Sequence, residues 1–358
     1  MERVRAENPL VEEPRGREVA AKPSVSASRG ASRPSRQKLI LAFAAIYLIW
    51  GSTYLAIKYA IQTMPPFFMA GTRFIVAGSV LYGWSRWRGA GPPTKAHWRS
   101  AAIIGALLFL GGNGALTWGE ERVASGLAAL LLASIPIWMV LLAHAQHKAQ
   151  HKGTRLGPRV IAGLVLGLIG IALLVGPNEL LGGGGVDPVG AMVLLGGGLA
   201  WALGSLYSPK ADLPRSTLLA ASMEMLCGGG LLIVLGLVTR ETAAIHLGAI
   251  SIPSILGLTY LITFGSLLGF TAYNWLLSHA SPARVSTYAY VNPVVAVFLG
   301  WAIAGETITL RTLVAAALVV AAVALIITHR APPAAARVAE AALLPEAEEE
   351  TAPVVPLD

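Results

Sequence analysis

Ten apolar runs dominate this 358-residue chain. They are residues 39–59, 66–84, 100–118, 123–143, 159–176, 188–207, 216–238, 252–277, 285–304 and 310–328. A helix of about 20 apolar residues crosses the hydrocarbon core of a bilayer. Because backbone groups in hydrocarbon must be paired within their own segment, runs of this length indicate helices. We therefore expect an all-α integral membrane protein with ten transmembrane helices.

The composition agrees with a chain whose main partner is the lipid bilayer. Apolar residues make up 55% of it and charged residues only 13%, against roughly 25% charged in soluble domains. The single cysteine, Cys227, excludes a disulfide within the chain and a cysteine metal site. The net charge of +8 does not indicate nucleic acid, because no basic stripe with interleaved aromatic residues accompanies it.

The two ends of the chain predict disordered tails. Residues 1–38 and 329–358 are rich in polar residues, Pro and Ala and have no apolar periodicity. The first apolar run lacks a cleavage pattern, so we expect it to remain as a span. Connectors on the side of the tails, together with the tails, hold 22 Lys and Arg, and those on the opposite side hold 3. The positive-inside rule then predicts a multi-pass protein of the inner (plasma) membrane with both termini cytoplasmic.

An internal repeat runs through the apolar region. Trp118 and Pro136 recur as Trp275 and Pro293, a shift of 157 residues. Further residues recur at the same shift: Leu110, Gly112, Ala115, Val140 and Leu142 return as Leu267, Gly269, Ala272, Val297 and Leu299. Repetition at a fixed shift indicates a duplicated structural unit.

A second shift, of 151 residues, extends the repeat to the first spans of each half. At this shift Trp50 corresponds to Trp201, and Arg73 corresponds to Glu224. Each half, 39–176 and 188–328, then contains five spans. Because five is odd, the second half must enter the membrane upside down, which predicts two inverted five-helix repeats.

Two charged residues inside spans are the first candidates for a site. Arg73 and Glu224 are expected near the middle of the membrane on pseudo-symmetric walls of one cavity, where they would bind the two ends of a zwitterion. An internal ion pair, or an Arg73 that reaches to the interface, is the alternative. Lys58 is expected to be an anchor at the membrane surface.

Aromatic, amide and proline residues complete the predicted pathway. Aromatic side chains with polar tips suit a cavity for amphipathic solutes, and buried amides either bridge helices or line the pathway. The predicted set is Trp50, Tyr54, Trp118, Trp201, Tyr290, Asn113, Asn274 and Asn292. Pro136 and Pro293 lie mid-span, where a kink could gate the pathway or act only as a static bend. Glycines within spans, such as the run at 228–230, are expected to allow close helix packing.

Metal and cofactor chemistry is not indicated. His144, His147 and His151 have helical spacing after the fourth run and could ligate zinc or nickel. No acidic or cysteine partner and no HExxH pattern accompanies them, so a solvated basic loop is favoured and no metal or other cofactor is expected. No phosphate loop or dinucleotide fingerprint occurs either, so no ATPase domain is expected in this chain.

Several short stretches carry a family pattern: Trp50-Gly51-Ser52, Arg73-Phe74, Ser281-Pro282-Ala283-Arg284-Val285, Pro293-Val294-Val295-Ala296-Val297 and Gly305-Glu306. Over residues 39–328 the chain resembles the EamA-type drug/metabolite transporters. The resemblance implies a ten-span, two-repeat secondary carrier of the bacterial inner membrane that exports amino acids, other metabolites or toxic compounds. One departure is that Gly305-Glu306 has no counterpart after the fourth span.

These observations predict a transporter rather than an enzyme, one that moves a small-molecule substrate by alternating access. The alternative within transport is a passive facilitator. A membrane-embedded enzyme acting on a lipid-linked substrate would need acids or histidines clustered at one interface. Glu120, Glu121 and Glu306 are expected to stand alone near the outer side, which disfavours the enzyme.

Overall fold

The computed structural model describes residues 36–149, 157–175, 187–279 and 288–328. All regular elements in these ranges are helical. The predicted tails lie outside the described residues, apart from the first residues of α1 below, and so does His151. The side chains of His147, Asn274 and Tyr290 are also outside the described part.

The first half of the chain forms five helical segments. They are α1 (Arg36–Ala60), α2 (Pro66–Trp87), α3 (Lys95–Gly119), α4 in two stretches (Ser125–Leu132 and Ile135–Ala149) and α5 (Pro158–Val175). The second half continues with α6 (Pro188–Tyr207), α7 (Thr217–Val238), α8 in three consecutive stretches (Ile252–Tyr260, Leu261–Leu268 and Gly269–His279), α9 (Tyr288–Ala304) and α10 (Leu310–Thr328).

Local capping explains where several helices begin. Proline stands at the first position of α2 and α6, where its missing N–H costs nothing. Asp187 accepts from the Val189 and Gly190 amides at the start of α6, and Ser216 caps α7 through the Leu219 amide. These side chains satisfy amides that have no partner within the helix.

Length and apolar composition allow six of the described helices to cross a membrane: Arg36–Ala60, Lys95–Gly119, Ser125–Leu142, Pro188–Lys210, Thr217–Val238 and Ile252–Tyr273. Shorter apolar helices are Pro158–Leu173, Val291–Ala304 and Leu310–Ile326. The all-helical prediction is therefore confirmed for the described ranges.

Two of the long helices contain π-helical stretches. One is Ala106–Gly114 within α3, and the other is Leu261–Leu268 within α8. A π-helical stretch re-aims the side chains around it and occurs frequently at functional sites. The sequence analysis did not predict either stretch, although Gly112 and Gly269 mark the repeat at or beside them.

Helix packing pairs elements from the two halves. Helix α1 packs against α8 and α9, and α6 packs against α3 and α4. Helix α2 lies along α7, and α5 lies along α10. In each of these contacts a helix of the first half packs against a helix of the second half.

Glycines permit the closest of these contacts. A Cβ at Gly229 would lie 3.0 Å from the Ile75 side chain and 3.1 Å from the Gly71 carbonyl oxygen. Gly228 faces Phe109 of α3. A Cβ at Gly230, in contrast, would meet no heavy atom of the described residues within 4 Å. The predicted packing role is confirmed for two glycines of this run and is wrong for the third.

Candidate substrate cavity

One cavity lies between helices of both halves. Its lining residues are Trp50, Thr53, Tyr54, Ile57, Arg73, Phe74, Gly112, Asn113, Leu116, Leu132, Ile135, Gly197, Trp201, Phe270, Tyr288 and Asn292. Six of the residues predicted from the sequence are among them: Trp50, Tyr54, Arg73, Asn113, Trp201 and Asn292. The wall is largely aromatic and aliphatic, with few polar groups, as is typical of sites for small organic molecules.

Arg73 places a positive charge on this wall. Its side chain is only 6% exposed, and its Nε donates to Ser266 Oγ at 3.0 Å. The guanidinium carbon lies 4.7 Å from the ring centroid of Phe74. Among the described residues no carboxylate lies within ion-pair distance of Arg73, so a hydroxyl and an aromatic face are its recorded partners.

Glu224 does not oppose Arg73 across the cavity. It is absent from the lining residues, and its side chain is 9% exposed. The backbone of α7 at Glu224 runs against α3, since a Cβ at Gly105 would lie 2.7 Å from the Glu224 carbonyl oxygen. Helices α2 and α7 are direct neighbours, and the rotation of each about its axis decides which residue faces the cavity. The repeat shift predicts how far along its helix a residue lies, but it does not predict the direction in which the side chain points.

The two repeated tryptophans occupy equivalent places. Trp50 lies over Gly269, where an added Cβ would be 2.5 Å from its Nε1, and this nitrogen donates to the Gly265 carbonyl oxygen at 3.1 Å. Trp201 lies over Gly112, where an added Cβ would be 2.8 Å from its Cε3. Each tryptophan therefore packs against the glycine that the other half of the chain supplies.

Aromatic rings surround Trp50 and form one end of the wall. Its ring centroid lies 5.6 Å from that of Phe270 and 5.0 Å from that of Tyr288, both edge-on. The sequence analysis did not select Phe270, Thr53 or Phe74 for the cavity. Phe74 adjoins Arg73 in the family pattern, which could have indicated it, whereas Phe270 had no such signal beyond its position after Gly269.

The two asparagines are satisfied by backbone carbonyls. Asn113 donates to the Leu108 carbonyl oxygen at 3.2 Å within α3. With the Asn292 amide oriented so that its nitrogen donates, this nitrogen lies 3.2 Å from the Tyr288 carbonyl oxygen and 3.3 Å from that of Tyr47 in α1. Asn292 thus joins α9 to α1 and also lines the cavity, so both roles considered from the sequence meet in one residue.

Other predicted residues lie elsewhere. Trp118, at the end of α3, is outside the cavity lining, and the Arg122 guanidinium lies 3.7 Å from its ring centroid. Pro136 is the second residue of the second stretch of α4, directly after the break at residues 133–134. Pro293 lies inside α9. Within the described ranges, no group of three or more His, Cys, Asp or Glu is placed to hold a metal ion.

A polar cluster surrounds Lys58, which follows the cavity residues Tyr54 and Ile57 on α1. The Glu306 carboxylate accepts from the Ser125 amide at 2.8 Å, the Ser125 hydroxyl at 2.7 Å and the Gly126 amide at 3.1 Å. Lys58 Nζ lies 3.0 Å from Glu306 Oε1. Gly305, with a φ of 66°, makes the turn after α9 that aims Glu306 at the start of α4. One carboxylate thereby ties α1, α4 and the α9–α10 connection together.

Glu120 belongs to the same cluster. It is 5% exposed, and neither of its carboxyl oxygens has a hydrogen-bond partner among the described residues. Burial, and next the charge of Glu306, raise the pKa of Glu120 well above its usual value, while Lys58 opposes them. Burial alone would raise the pKa of Glu306, but hydrogen bonds from Ser125, Gly126 and Lys58 outweigh it and lower that pKa. The expectation that these acids stand alone is wrong, because the fold brings both Glu120 and Glu306 near Lys58, which forms an ion pair with Glu306.

The fold defines a helical membrane protein with a cavity between its two halves, and comparison with known proteins gives the family. The sequence profile of the EamA-like transporter family matches residues 37–176 and again residues 188–328. The chain belongs to the EamA-like transporter family. It is therefore a multi-pass membrane protein of a transporter family, as its sequence pattern predicts.

Curated relatives agree with this membership. The chain is 36% identical over 267 residues to the uncharacterized inner membrane transporter YedA of Escherichia coli strain K12, covering 74% of this chain and 82% of that protein. It is 26% identical over 286 residues to the uncharacterized transporter YoaV of Bacillus subtilis strain 168, covering 78% and 94%. A solved crystal structure, 20% identical, aligns over 81% of this chain and 97% of its own with a TM-score of 0.55, which shows a shared fold.

Proposed function

We propose that this protein is a secondary-active transporter that exports small amphipathic metabolites or drugs across the bacterial inner membrane by alternating access. The observation that carries the proposal is Arg73, a buried cation on the wall of a central cavity with no carboxylate partner among the described residues. A buried charge is costly unless it is paired. A solute that brings a carboxylate would supply the missing partner.

The aromatic residues of the cavity wall indicate what the part of the solute outside its acidic group is like. Trp50, Trp201, Phe270 and Tyr288 present aromatic surfaces on the same cavity. Such surfaces favour a flat or apolar body, while the guanidinium of Arg73 favours a planar acidic group through paired hydrogen bonds. Amino-acid-like solutes and other amphipathic carboxylates have this combination. The sequence predicted a zwitterion held by two opposite charges. Because Glu224 does not line the cavity, the proposal keeps only the recognition of an acidic group by Arg73.

We further propose ten transmembrane helices arranged as two inverted repeats, 39–176 and 188–328, between tails 1–38 and 329–358. Three features support this arrangement. The packing partners of α1 in the second half correspond to those of α6 in the first. The Trp50 and Trp201 rings pack on glycines related by the same repeat, and a π-helical stretch occurs in the third helix of each half.

The mirrored prolines fit a gating role within this proposal. Pro136 follows the break between the two stretches of α4, and Leu132 and Ile135 at that break line the cavity. Pro293 lacks the N–H that would bond within α9, and it follows Asn292, which also lines the cavity. A bend at either proline would move a cavity wall directly.

The proposal is tested by comparing metabolites exported by cells with and without this protein. We expect a set of amphipathic carboxylates to accumulate outside the cells only when the protein is present. Vesicles loaded with the identified solute then separate the mechanisms: a secondary-active carrier accumulates the solute against its gradient and loses this ability when the proton gradient is collapsed. Transport that only equilibrates the solute would favour the passive facilitator, and a chemically altered solute would favour the enzyme.

The proposed orientation makes a separate prediction. After the native cysteine is replaced by alanine, single cysteines at Gln62 and Leu181 should react with an impermeant thiol reagent added to intact cells. Cysteines at Pro92, Gln150 and Ala335 should react only after permeabilisation. The expectation rests on the excess of Lys and Arg on the side of both tails. Labelling of position 335 in intact cells would contradict a cytoplasmic C-terminus.

A further inference from the structure

Glu306 is the fixed member of the cluster around Lys58. Its two carboxylate oxygens accept from the backbone of Ser125 and Gly126 at the start of α4, so the positive end of that helix favours its ionised form. Its side chain is 10% exposed, and the Lys58 side chain is 32% exposed. Lys58 follows Ile57 and stands one helical turn after Tyr54, and both of those residues line the cavity. The Lys58–Glu306 ion pair therefore lies next to the part of the cavity wall that Tyr54 and Ile57 form.

Glu120 is the unsatisfied member. It follows the last turn of α3, where helix carbonyl groups disfavour a negative charge, and its amide donates to the carbonyl oxygen of Leu116, a cavity residue. Its side chain is buried, and both of its carboxyl oxygens lack a partner among the described residues. Lys58, the nearby cation, donates instead to Glu306. A buried carboxyl in this setting is stable in its neutral form.

Among the charged and titratable groups around Glu120 in the described structure, Lys58 is the cation that offsets a negative charge on it. Tyr54 of α1 and Glu306 of the α9–α10 connection interact with it electrostatically. On its own segment, Arg122 lies over Trp118 and is 3.3 Å from Glu121 and 3.7 Å from Asp187 at the start of α6. Glu241, which follows α7 and accepts from the Phe67 and Phe68 amides at the start of α2, interacts with Glu121. Lys58 is therefore the cation that influences both carboxyl groups, and it forms its ion pair with Glu306.

We propose that Glu120 is a proton-binding site separate from the solute cavity, and that release of its proton opens the Lys58 end of that cavity. This inference rests on the alternating-access transporter proposed above. In the closed arrangement the cluster holds a neutral Glu120 and one ion pair. When the O–H bond of Glu120 breaks, its proton passes to water entering at this end. The new carboxylate then repels Glu306 and competes for Lys58, which loosens the tie between α1, α4 and the α9–α10 connection.

The direction of the pH dependence follows from how tightly Glu120 holds its proton in the closed and in the open state. The closed state holds the proton more tightly than the open, hydrated state, so low pH stabilises the closed end and rising pH opens it. Between the two pKa values of Glu120, the ratio of open to closed protein should change about tenfold per pH unit. Above the closed-state pKa both states are ionised, and the ratio stops changing.

Protonation is measured on purified protein by the infrared C=O band of a neutral carboxyl group. We expect Glu120→Gln to remove the component of this band that belongs to Glu120, together with the titration of that component. Glu121→Gln is the matched control, since this neighbour pairs with Arg122 and its side chain is 36% exposed, and it should leave the band unchanged. A band that is identical in the parent and in Glu120→Gln would overturn the proposal.

Opening is measured with a cysteine at Ile57, which lines the cavity and is 1% exposed, in a Cys227→Ala background. An impermeant thiol reagent is added separately to right-side-out and inside-out vesicles. When the reagent is added from the side of Lys58, the labelling rate of the protein with Glu120 is divided by that of the Glu120→Gln variant at the same pH. This ratio should rise about tenfold per pH unit between the two pKa values of Glu120. A flat ratio, or a response to sodium at constant pH in place of a response to pH, would reject proton binding at this site.

Glu306→Gln keeps the proposal testable if Glu120→Gln fails to fold. It removes the neighbouring negative charge and frees Lys58 for Glu120, so the pH midpoint of opening should fall. An unchanged midpoint would show that Glu120 acts independently of the cluster and would overturn the coupling. None of these measurements needs a solute, so a failure of the proposed substrate class and a failure of the proton site are distinguishable.

Discussion

Arg73→Gln is expected to weaken binding of a carboxylated solute by about 30-fold or more, because truncating one partner of a buried, hydrogen-bonded charge pair costs roughly 2 kcal/mol or more. Arg73 is the charged residue on the cavity wall, and its Nε already uses one hydrogen bond on Ser266. Its remaining N–H groups are available for a planar carboxylate. Equilibrium binding of the solute identified in the export comparison, measured on purified protein, gives the value.

Arg86→Gln is the matched control for this change. Arg86 lies in the last turn of the same helix, donates to the Ala90 carbonyl oxygen and is outside the cavity lining. Its replacement should leave the dissociation constant within about twofold, as is usual for surface changes of less than ~0.5 kcal/mol. Equal affinity in the parent and in Arg73→Gln would contradict the proposal that Arg73 recognises an acidic group of the substrate.

The methyl ester of the same solute separates charge from shape. It retains the apolar body and removes the carboxylate, so it should bind weakly to the parent and lose little further affinity in Arg73→Gln. The double-mutant cycle formed by two proteins and two solutes isolates the interaction between the guanidinium and the carboxylate. A coupling near zero would mean that Arg73 affects binding only through the structure of the cavity.

Gly228→Ala is expected to cause the largest loss of stability among the glycine substitutions in α7. The added methyl group would overlap the side chain of Phe109 and lie 2.8 Å from the Gly105 carbonyl oxygen. Phe109 is 1% exposed, and its ring packs edge-on against Phe74 at 4.6 Å, so it has no space into which to move. Overpacking of this kind costs about 1–3 kcal/mol, which should appear as a lower melting temperature and a lower yield of folded protein.

Gly230→Ala tests whether the effect arises from packing. It belongs to the same helix and the same run of glycines, but its Cβ would meet no described atom within 4 Å. Its melting temperature should equal or slightly exceed that of the parent, since alanine is the better helix former. If the two variants were equally destabilised, the close approach of α7 to α3 would not be the cause.

Helix positions followed from local sequence to a large extent. Apolar runs of membrane length and capping residues such as Asp187 and Ser216 act within one turn of the chain, so they are readable without tertiary information. The π-helical stretches were not predicted, because no local signal distinguishes them from ordinary helix. The break in α4 was only indicated by Pro136, and it lies just before that proline, at residues 133–134.

The candidate cavity was partly predictable because the depth of a residue along its span can be read from the sequence. Depth along a span selected Trp50, Arg73 and Trp201, which the structure places on the wall. Depth does not specify the direction a side chain takes around its helix axis. Glu224 was selected by the same criterion, and the rotation of α7 leaves it outside the lining. Trp118 was selected as a repeated aromatic residue, and it lies at the end of α3 outside the lining.

The sequence by itself determined that this is a helical membrane protein of a transporter family, since apolar length, charge asymmetry and repeated residues depend on local composition and order. Only the tertiary structure decided that Lys58, Glu120 and Glu306 form one cluster. These residues come from α1, the end of α3 and the connection after α9, and their interaction depends on how those segments pack. A buried carboxyl without a partner is a property of that packing, because the energy of a charge is set by the groups around it in space.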